Sequence, residues 1–344
     1  MTTGTRDKRT EKPTLRTIAE LSGLAVPTVS RALNDAPDIG KDTKARVRAI
    51  ARDIGYVPNR AGVRLRTGRT NVISVVMSTD NDLSNHTGRF VTAIAETLRD
   101  TAFHLNFSPF FADQDPLRPF RYIVETRSAD AVILNQTEPE DPRVAYLQEH
   151  GFPFVTHGRT KWSDSHSYYD VCNRDIGSLA VKFLARRGRR NLLAIAPPAH
   201  QSYGLDFRNG VLEAGSETGV SVEIASGVTS DDPRDQLAAR ITAILQENPR
   251  IDGMITASSS AAMAATAGLE TAGRRLGADI EFFSKETPEP ILELFRPQIH
   301  TIKENVQEAG EWCGHAVKRL LREPHLPPMQ TLRHPTEDDI FEGV

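Results

Sequence analysis

The chain has 344 residues, 39% hydrophobic and 25% charged, with a formal net charge of −3, ordinary for a soluble protein with two or three cored domains. No run of about 18 apolar residues occurs, so no membrane span is expected, and two cysteines, Cys172 and Cys313, without metal spacing suggest free thiols in a reducing cytoplasm. The net figure hides an asymmetry: residues 1–70 hold 15 Lys+Arg against 7 Asp+Glu, net +8, leaving 27 against 38, net −11, for the rest. A basic head on an acidic body argues for a polyanionic partner at one end, bound less tightly as salt rises.

In chain order, residues 1–13 are polar and charged with no apolar h-region, so a disordered arm is expected and not a secretory signal. Residues 14–57 carry three helical patterns. In the first, Leu15, Ile18 and Ala19 share one face, and Thr14 is placed to cap the helix. Gly23 permits the left-handed corner that a sharp turn needs. In the second, from about Val26 to Asn34, Val29, Ala32 and Leu33 face the first helix. Pro27, Ser30, Arg31 and Asn34 then face outward, a polar, cationic surface suited to the floor of a DNA major groove. A third helix fits 41–53 after Gly40, where Val47, Ile50, Ala51 and Ile54 close a small core. Lys41, Lys44, Arg46, Arg48 and Arg52 surround it, some against phosphates and some against water. Residues 58–70 follow as a basic segment.

From residue 71 strands and helices alternate. NVISVVM, HLNFSPF, ADAVILN and FPFVTHG are expected strands. Helices are expected at 87–101, PFRYIVET and PRVAYLQEH. After a break near 160–174 the rhythm restarts. Helices are expected at 175–187, 202–218, 233–246 and 261–272, with strands at NLLAIAP, SVEIAS, GMITA and IEFF between and after them. This βαβ order predicts parallel sheets with helices on both faces, in two similar lobes. The first lobe covers about 71–170 plus a return segment near 301–325. The second covers about 171–300 plus the C-terminal tail. Ligands of open sheets bind beyond the carboxyl ends of the strands, which selects Ser78, Asn135, His157, Arg159 and Glu286. Trp162 and Phe110 are candidate stacking surfaces. The run Arg186, Arg187, Arg189 and Arg190 reads as cations at a helix C-terminus. Phosphate-cradling glycine loops, GxSxG and HExxH are all missing, so neither an enzyme, a cofactor nor a metal is expected.

TIAELSGLAVPTVSRALN resembles the helix-turn-helix of the lactose-repressor (LacI/GalR) family of bacterial transcription regulators, and GYVPNRAGVRLRTGRTNVISVV resembles its hinge helix and first core strand. The likeness implies an all-α three-helix headpiece plus hinge helix, followed by a two-lobed α/β core like that of periplasmic sugar-binding proteins. It implies double-stranded, pseudo-palindromic operator DNA as one partner, a carbohydrate-like effector as another, and a homodimer. DNA contacts are then expected from Thr14, Val26, Pro27, Thr28, Ser30, Arg31 and Asn34, and from Asn59, Arg60, Leu65 and Arg66 in the hinge. Leu65 matches the leucine that wedges into the minor groove and kinks the duplex. Arg208, in FRNG, matches an arginine that reaches the effector, and Glu286 stands where an aspartate is usual.

Four departures have consequences. Ala25 replaces a capping serine, at a cost of roughly 1 kcal/mol. Val26 and Pro27 occupy base-choosing positions, so readout there is apolar, for example against a thymine methyl. Gly62 weakens the hinge helix by roughly 0.5–1 kcal/mol, favouring order only on DNA. Ser258-Ser259 and Ser284-Lys285-Glu286 replace Asn-Asp and Gly-Tyr-Asp in the cleft. The expected function is therefore a repressor of carbohydrate uptake or catabolism genes, modulated by a sugar. The alternative is a core that answers to a partner protein or a phosphorylated metabolite. The tail lacks leucine heptads, so no four-chain coiled bundle is indicated.

Overall fold

The computed structural model describes residues 12–57, 68–78, 86–111, 114–286 and 291–343. It divides into two compact units, residues 1–70 and 71–344.

In the first unit, α1 (Leu15–Ser22), α2 (Val26–Leu33) and α3 (Lys41–Asp53) form the expected three-helix headpiece. Thr14 and Thr17 cap α1 reciprocally, each hydroxyl accepting from the other's backbone N–H. Gly23 ends α1 at φ 69°, its N–H donating to Ala19 O. Ile18, Val29, Ala32 and Val47 have no exposed surface, so the apolar periodicity is fully spent on one core. That core is small, and polar ties supplement it. Arg46 donates to Ser22 O at 3.0 Å, joining α3 to the end of α1. Asp35 lies 3.1 Å from Lys44 and 2.9 Å from Arg48. Three cations expected at phosphates or water thus brace the fold.

The second unit holds two six-stranded sheets. The first contains β1 (Val72–Ser78), β2 (His104–Phe110), β3 (Ala131–Leu134), β4 (Phe154–His157), β5 (Ser167–Val171) and β11 (Gln330–Arg333), in the order β11-β5-β4-β3-β1-β2. All its pairings are parallel. The second contains β6 (Asn191–Ile195), β7 (Ser221–Ile224), β8 (Gly253–Thr256), β9 (Glu281–Glu286), β10 (Ile299–Lys303) and β12 (Ile340–Phe341), in the order β12-β10-β9-β8-β6-β7. Only β12 runs antiparallel to its neighbour. The helices are α4 (His86–Leu98), α5 (Arg118–Thr126), α6 (Pro142–Glu149), α7 (Asn173–Arg186), α8 (Ser202–Thr218), α9 (Arg234–Glu247), α10 (Ser259–Thr271), α11 (Ile291–Phe295) and α12 (Val306–Arg322). Strands flanked on both faces read as continuous apolar runs; β3 and β8 are buried at every position.

Three expectations need correction. The break near 160–174 contains β5, hidden because Asp170 and the Ser165-His166-Ser167 approach break the apolar run. The return to the first lobe begins at Val306, since β10 belongs to the second sheet. The tail divides: β11 pairs with β5 in the first sheet, and β12 with β10 in the second. The chain therefore passes between lobes three times, after β5, β10 and β11. Helix α12 packs so closely on α4 that a Cβ at Gly310 would lie 2.6 Å from Phe90 O. The arginine run is largely internal bracing. Arg187 and Arg189 both pair with Glu281, a buried carboxylate at the start of β9.

Candidate functional site

The outward side of α2 carries the candidate DNA contacts. Val26 is 39% exposed despite its apolar side chain, and Pro27, Arg31 and Asn34 are exposed, with Thr28 and Ser30 half-buried. Ala25 caps α2 without a side-chain hydrogen bond, as its methyl dictates. Two of the polar candidates are engaged within the chain. Arg31 pairs with Asp38, and Asn34 Nδ2 donates to Ser30 O at 2.6 Å. Thr14 spends its hydroxyl on the α1 cap. Asn59, Arg60, Leu65 and Arg66 lie outside the described residues, as does Gly62.

In the second unit a cleft of about 610 Å³ opens between the carboxyl ends of the two sheets, within the range of small-molecule sites. Asn135, His157 and Glu286, three of the six effector candidates, line it. The other three do not join them. Ser78 ends β1 at the same edge, but its side chain lies outside the described set. Arg159 is spent on two carboxylates, donating to Asp170 at 2.8 Å and to Asp206 at 2.6 Å. Since Asp206 sits on α8, Arg159 ties the first lobe to the second. Arg208 lies well inside α8, half-buried and absent from the lining, because that helix reaches the cleft only through its first turn, at Tyr203. Trp162 packs into the first lobe's core beneath Lys161, 5.0 Å from the ring centroid, and does not line the cleft. Phe110 lies on β2, and its side chain is outside the described set.

The first-lobe wall is fixed by its own hydrogen bonds. Buried Arg143 pairs with buried Asp141 at 2.6 Å and donates to Asn135 O at 3.1 Å and Gln136 O at 2.8 Å. Burial works against the Asp141 charge, but Arg143 and backbone N–H groups outweigh it and hold the carboxyl below its usual range. Thr137 donates to Arg159 O at 2.8 Å. Gly158, at φ 117°, lets the chain pass so close to Thr137 that any Cβ would collide with its hydroxyl.

The cleft floor contains a pair that sequence reasoning missed. Lys285, at the end of β9, pairs with Glu304, in the β10–α12 connector, at 2.7 Å. His157 Nε2 lies 3.6 Å from the same carboxylate, its ring stacked on Phe90 at 5.1 Å between centroids. Burial opposes the Glu304 charge, but Lys285 and His157 overcome it and hold the carboxyl well below its usual range. Lys285 Nζ also lies 5.7 Å from the Tyr203 ring, and the Tyr203 hydroxyl donates to Asp231 at 2.9 Å.

The second-lobe wall is different. Gln201 Oε1, Ser259 Oγ and Glu286 Oε2 are buried and have no hydrogen-bond partner among the described residues, and all three residues line the cleft. Glu286 uses only Oε1, which accepts from Leu292 N–H at 2.6 Å. Burial pushes its carboxyl pKa up. Ser258 caps α10, so the serine pair divides its labour between helix capping and the cleft. Across both walls six carboxylate residues face one lysine and one arginine, with three histidines.

Residues 14–59 match the family model "Bacterial regulatory proteins, lacI family", and residues 75–289 match "Periplasmic binding proteins and sugar binding domain of LacI family". The chain belongs to the LacI family. A LacI-family chain is a DNA-binding transcriptional regulator with a sugar-binding domain, not an enzyme. The HTH-type transcriptional regulator AglR of Rhizobium meliloti (strain 1021) is 31% identical over 315 residues, 89% of this chain and 86% of that protein. Two solved LacI-type structures share the fold. A CelR–cellobiose complex superposes with TM-score 0.68 at 23% identity, covering 96% of this chain and 99% of that one. The lac repressor dimer bound to operator and the anti-inducer ONPF superposes with TM-score 0.77 at 18% identity, covering 94% and 97%. Among the described residues, no helix is long and apolar enough to cross a membrane.

Proposed function

We propose that this LacI-family regulator is a homodimeric repressor of carbohydrate uptake or catabolism genes, and that an uncharged sugar of disaccharide size held between the lobes modulates it. One observation supports the effector assignment: three buried acceptor atoms on the second-lobe wall, at Gln201, Ser259 and Glu286, have no partner among the described residues. Unpaired buried polar atoms are costly, and sugar hydroxyls donate to such acceptors. The acidic lining favours a neutral ligand and opposes a phosphorylated metabolite, the alternative left open by the sequence. The cellobiose in the CelR complex supports a disaccharide.

On DNA, residues 14–57 act as the reading unit, with α2 in the major groove. Val26 and Pro27 read apolar surface, and Thr28, Ser30, Arg31 and Asn34 read or position. Arg31 must exchange Asp38 for a base or phosphate, so releasing Asp38 is part of recognition. Leu65 wedges into the minor groove with Arg66 beside it, and Asn59 and Arg60 contact the DNA. Two headpieces on a pseudo-palindrome require two chains. A sugar alters operator affinity only through different affinities for the two lobe arrangements. Calorimetry on the purified full chain tests the effector half. Binding of a neutral disaccharide, with no binding of its phosphorylated counterpart, is expected. Heat from the phosphorylated sugar alone overturns it.

A further inference from the structure

Cys172, Asp175 and His334 come together where two of the three lobe connectors leave the first sheet. Cys172 follows β5 and precedes α7, Asp175 sits in the first turn of α7, and His334 follows β11. The two segments are held side by side, Cys172 N–H donating to Arg333 O at 2.8 Å. One ligand atom from each of the three residues lies within 4.8 Å of the other two. His334 Nδ1 is 2.6 Å from Asp175 Oδ2. Sequence spacing gave no sign of this cluster, because 159 residues separate Asp175 from His334.

We propose that these three side chains form a binding site for a borderline divalent transition metal of the zinc type, which clips two of the lobe connectors together. One thiolate, one imidazole nitrogen and one carboxylate oxygen are a donor set that suits zinc or cobalt and not magnesium or calcium. Metal–ligand bonds of about 2.0–2.3 Å in a tetrahedron place ligand atoms about 3.3–3.8 Å apart. Atoms that lie within 4.8 Å of one another therefore have to shift to those separations, and the 2.6 Å approach of His334 to Asp175 has to open. The side chains able to do so are the accessible ones: Asp175 is 37% and His334 61% exposed at the side chain, whereas Cys172 is 7% exposed and fixed. Exposure also gives the ion a way in, and leaves the fourth position to water.

Charge balances locally. A divalent ion, a thiolate, a carboxylate and a neutral imidazole sum to zero, which suits a partly buried place. On binding, the Cys172 thiol proton leaves to solvent, and the metal replaces the hydrogen bond shared by His334 and Asp175. Burial pushes the Cys172 thiol pKa up, against a hydrogen bond from the Asp175 N–H at the start of α7, so it is the arriving ion that draws the proton off. Since both connectors lead to the second lobe, the ion restrains the rotation of one lobe on the other.

The test is titration of the chelator-stripped, reduced full-length chain with Co²⁺ alone, followed by thiolate-to-cobalt charge-transfer absorbance. One equivalent per chain is expected to develop the band. Cys172→Ser should abolish it, and His334→Ala, an exposed change that leaves folding intact, should weaken Co²⁺ binding about tenfold or more. Zn²⁺ should raise the melting temperature of the unaltered chain and not of His334→Ala. Failure of the band to appear, its survival in Cys172→Ser, or unchanged affinity in His334→Ala overturns the site.

Discussion

The two walls of the cleft are built on opposite principles. The first-lobe wall satisfies itself: Arg143 closes on Asp141 and two loop carbonyls, and Arg159 closes on Asp170. The second-lobe wall leaves buried acceptors at Gln201, Ser259 and Glu286 without partners among the described residues. A self-satisfied wall is a rigid frame that presents Asn135 and His157 whether or not a ligand is there. An unsatisfied wall gains most when a ligand arrives. Under the proposed function the difference teaches where the coupling energy would reside: a sugar leaning on the frame and donating to the second lobe would draw that lobe toward it.

Breaking the frame should have the largest effect. Asp141→Ala leaves the Arg143 guanidinium buried without a carboxylate, and should lower unfolding free energy by about 3–5 kcal/mol in urea denaturation. A loss below about 1 kcal/mol would mean that the frame is not held by this pair.

Next is the floor. Lys285→Met strands Glu304 in the interior and should cost about 3 kcal/mol near neutral pH. The folded-state pKa of Glu304 is depressed, so its pairing contributes stability above the ordinary carboxyl value of 4.5 and loses it as pH falls below. The gap between the unaltered chain and Lys285→Met should therefore narrow on acidification. A gap constant down to the acid transition contradicts the assignment.

Sharpening the second wall gives smaller, opposed effects. The pKa of Glu286 is raised by burial, so its ionisation disfavours the fold increasingly as pH rises above the ordinary value of 4.5 toward the raised one. Glu286→Gln should then stabilise the chain at neutral pH, an advantage that disappears below the ordinary value of 4.5. The same change should weaken sugar binding about tenfold, because the unpartnered acceptor becomes a donor. Ser259→Ala should do likewise on a smaller scale, gaining about 1 kcal/mol of stability while lowering sugar affinity. Loss of stability together with unchanged affinity would show these atoms to be structural. The smallest effect is outside the cleft: Ala25→Ser should supply the missing cap of α2 and stabilise the headpiece by about 1 kcal/mol, read from its thermal transition.

The sequence made the frame more legible than the cleft's interior. Alternating apolar runs located the lobes, and Thr14, Gly23 and the α2 face could be read directly because capping and 3.6-residue periodicity are local. Strand ends led to Asn135, His157 and Glu286 for the same reason. What escaped is what only folding brings together. Lys285 and Glu304 come from different segments, and Cys172 meets His334 only because β11 returns to β5. Arg159 was found at the right strand end and given the wrong task, since nothing local reveals that Asp206, on another lobe, will claim its guanidinium. β5 was missed because its polar approach and Asp170 disguise a buried strand.

The most direct measurement is fluorescence anisotropy of an operator duplex, selected by the protein from a random pool, titrated with full-length protein at increasing concentrations of neutral disaccharides. The expected result is a shift of about tenfold or more in the midpoint with one such sugar, none with its phosphorylated form, and a need for about tenfold more sugar in Glu286→Gln. Operator binding indifferent to every neutral sugar, or shifted equally in Glu286→Gln, would contradict a regulator governed through the unsatisfied wall of its cleft.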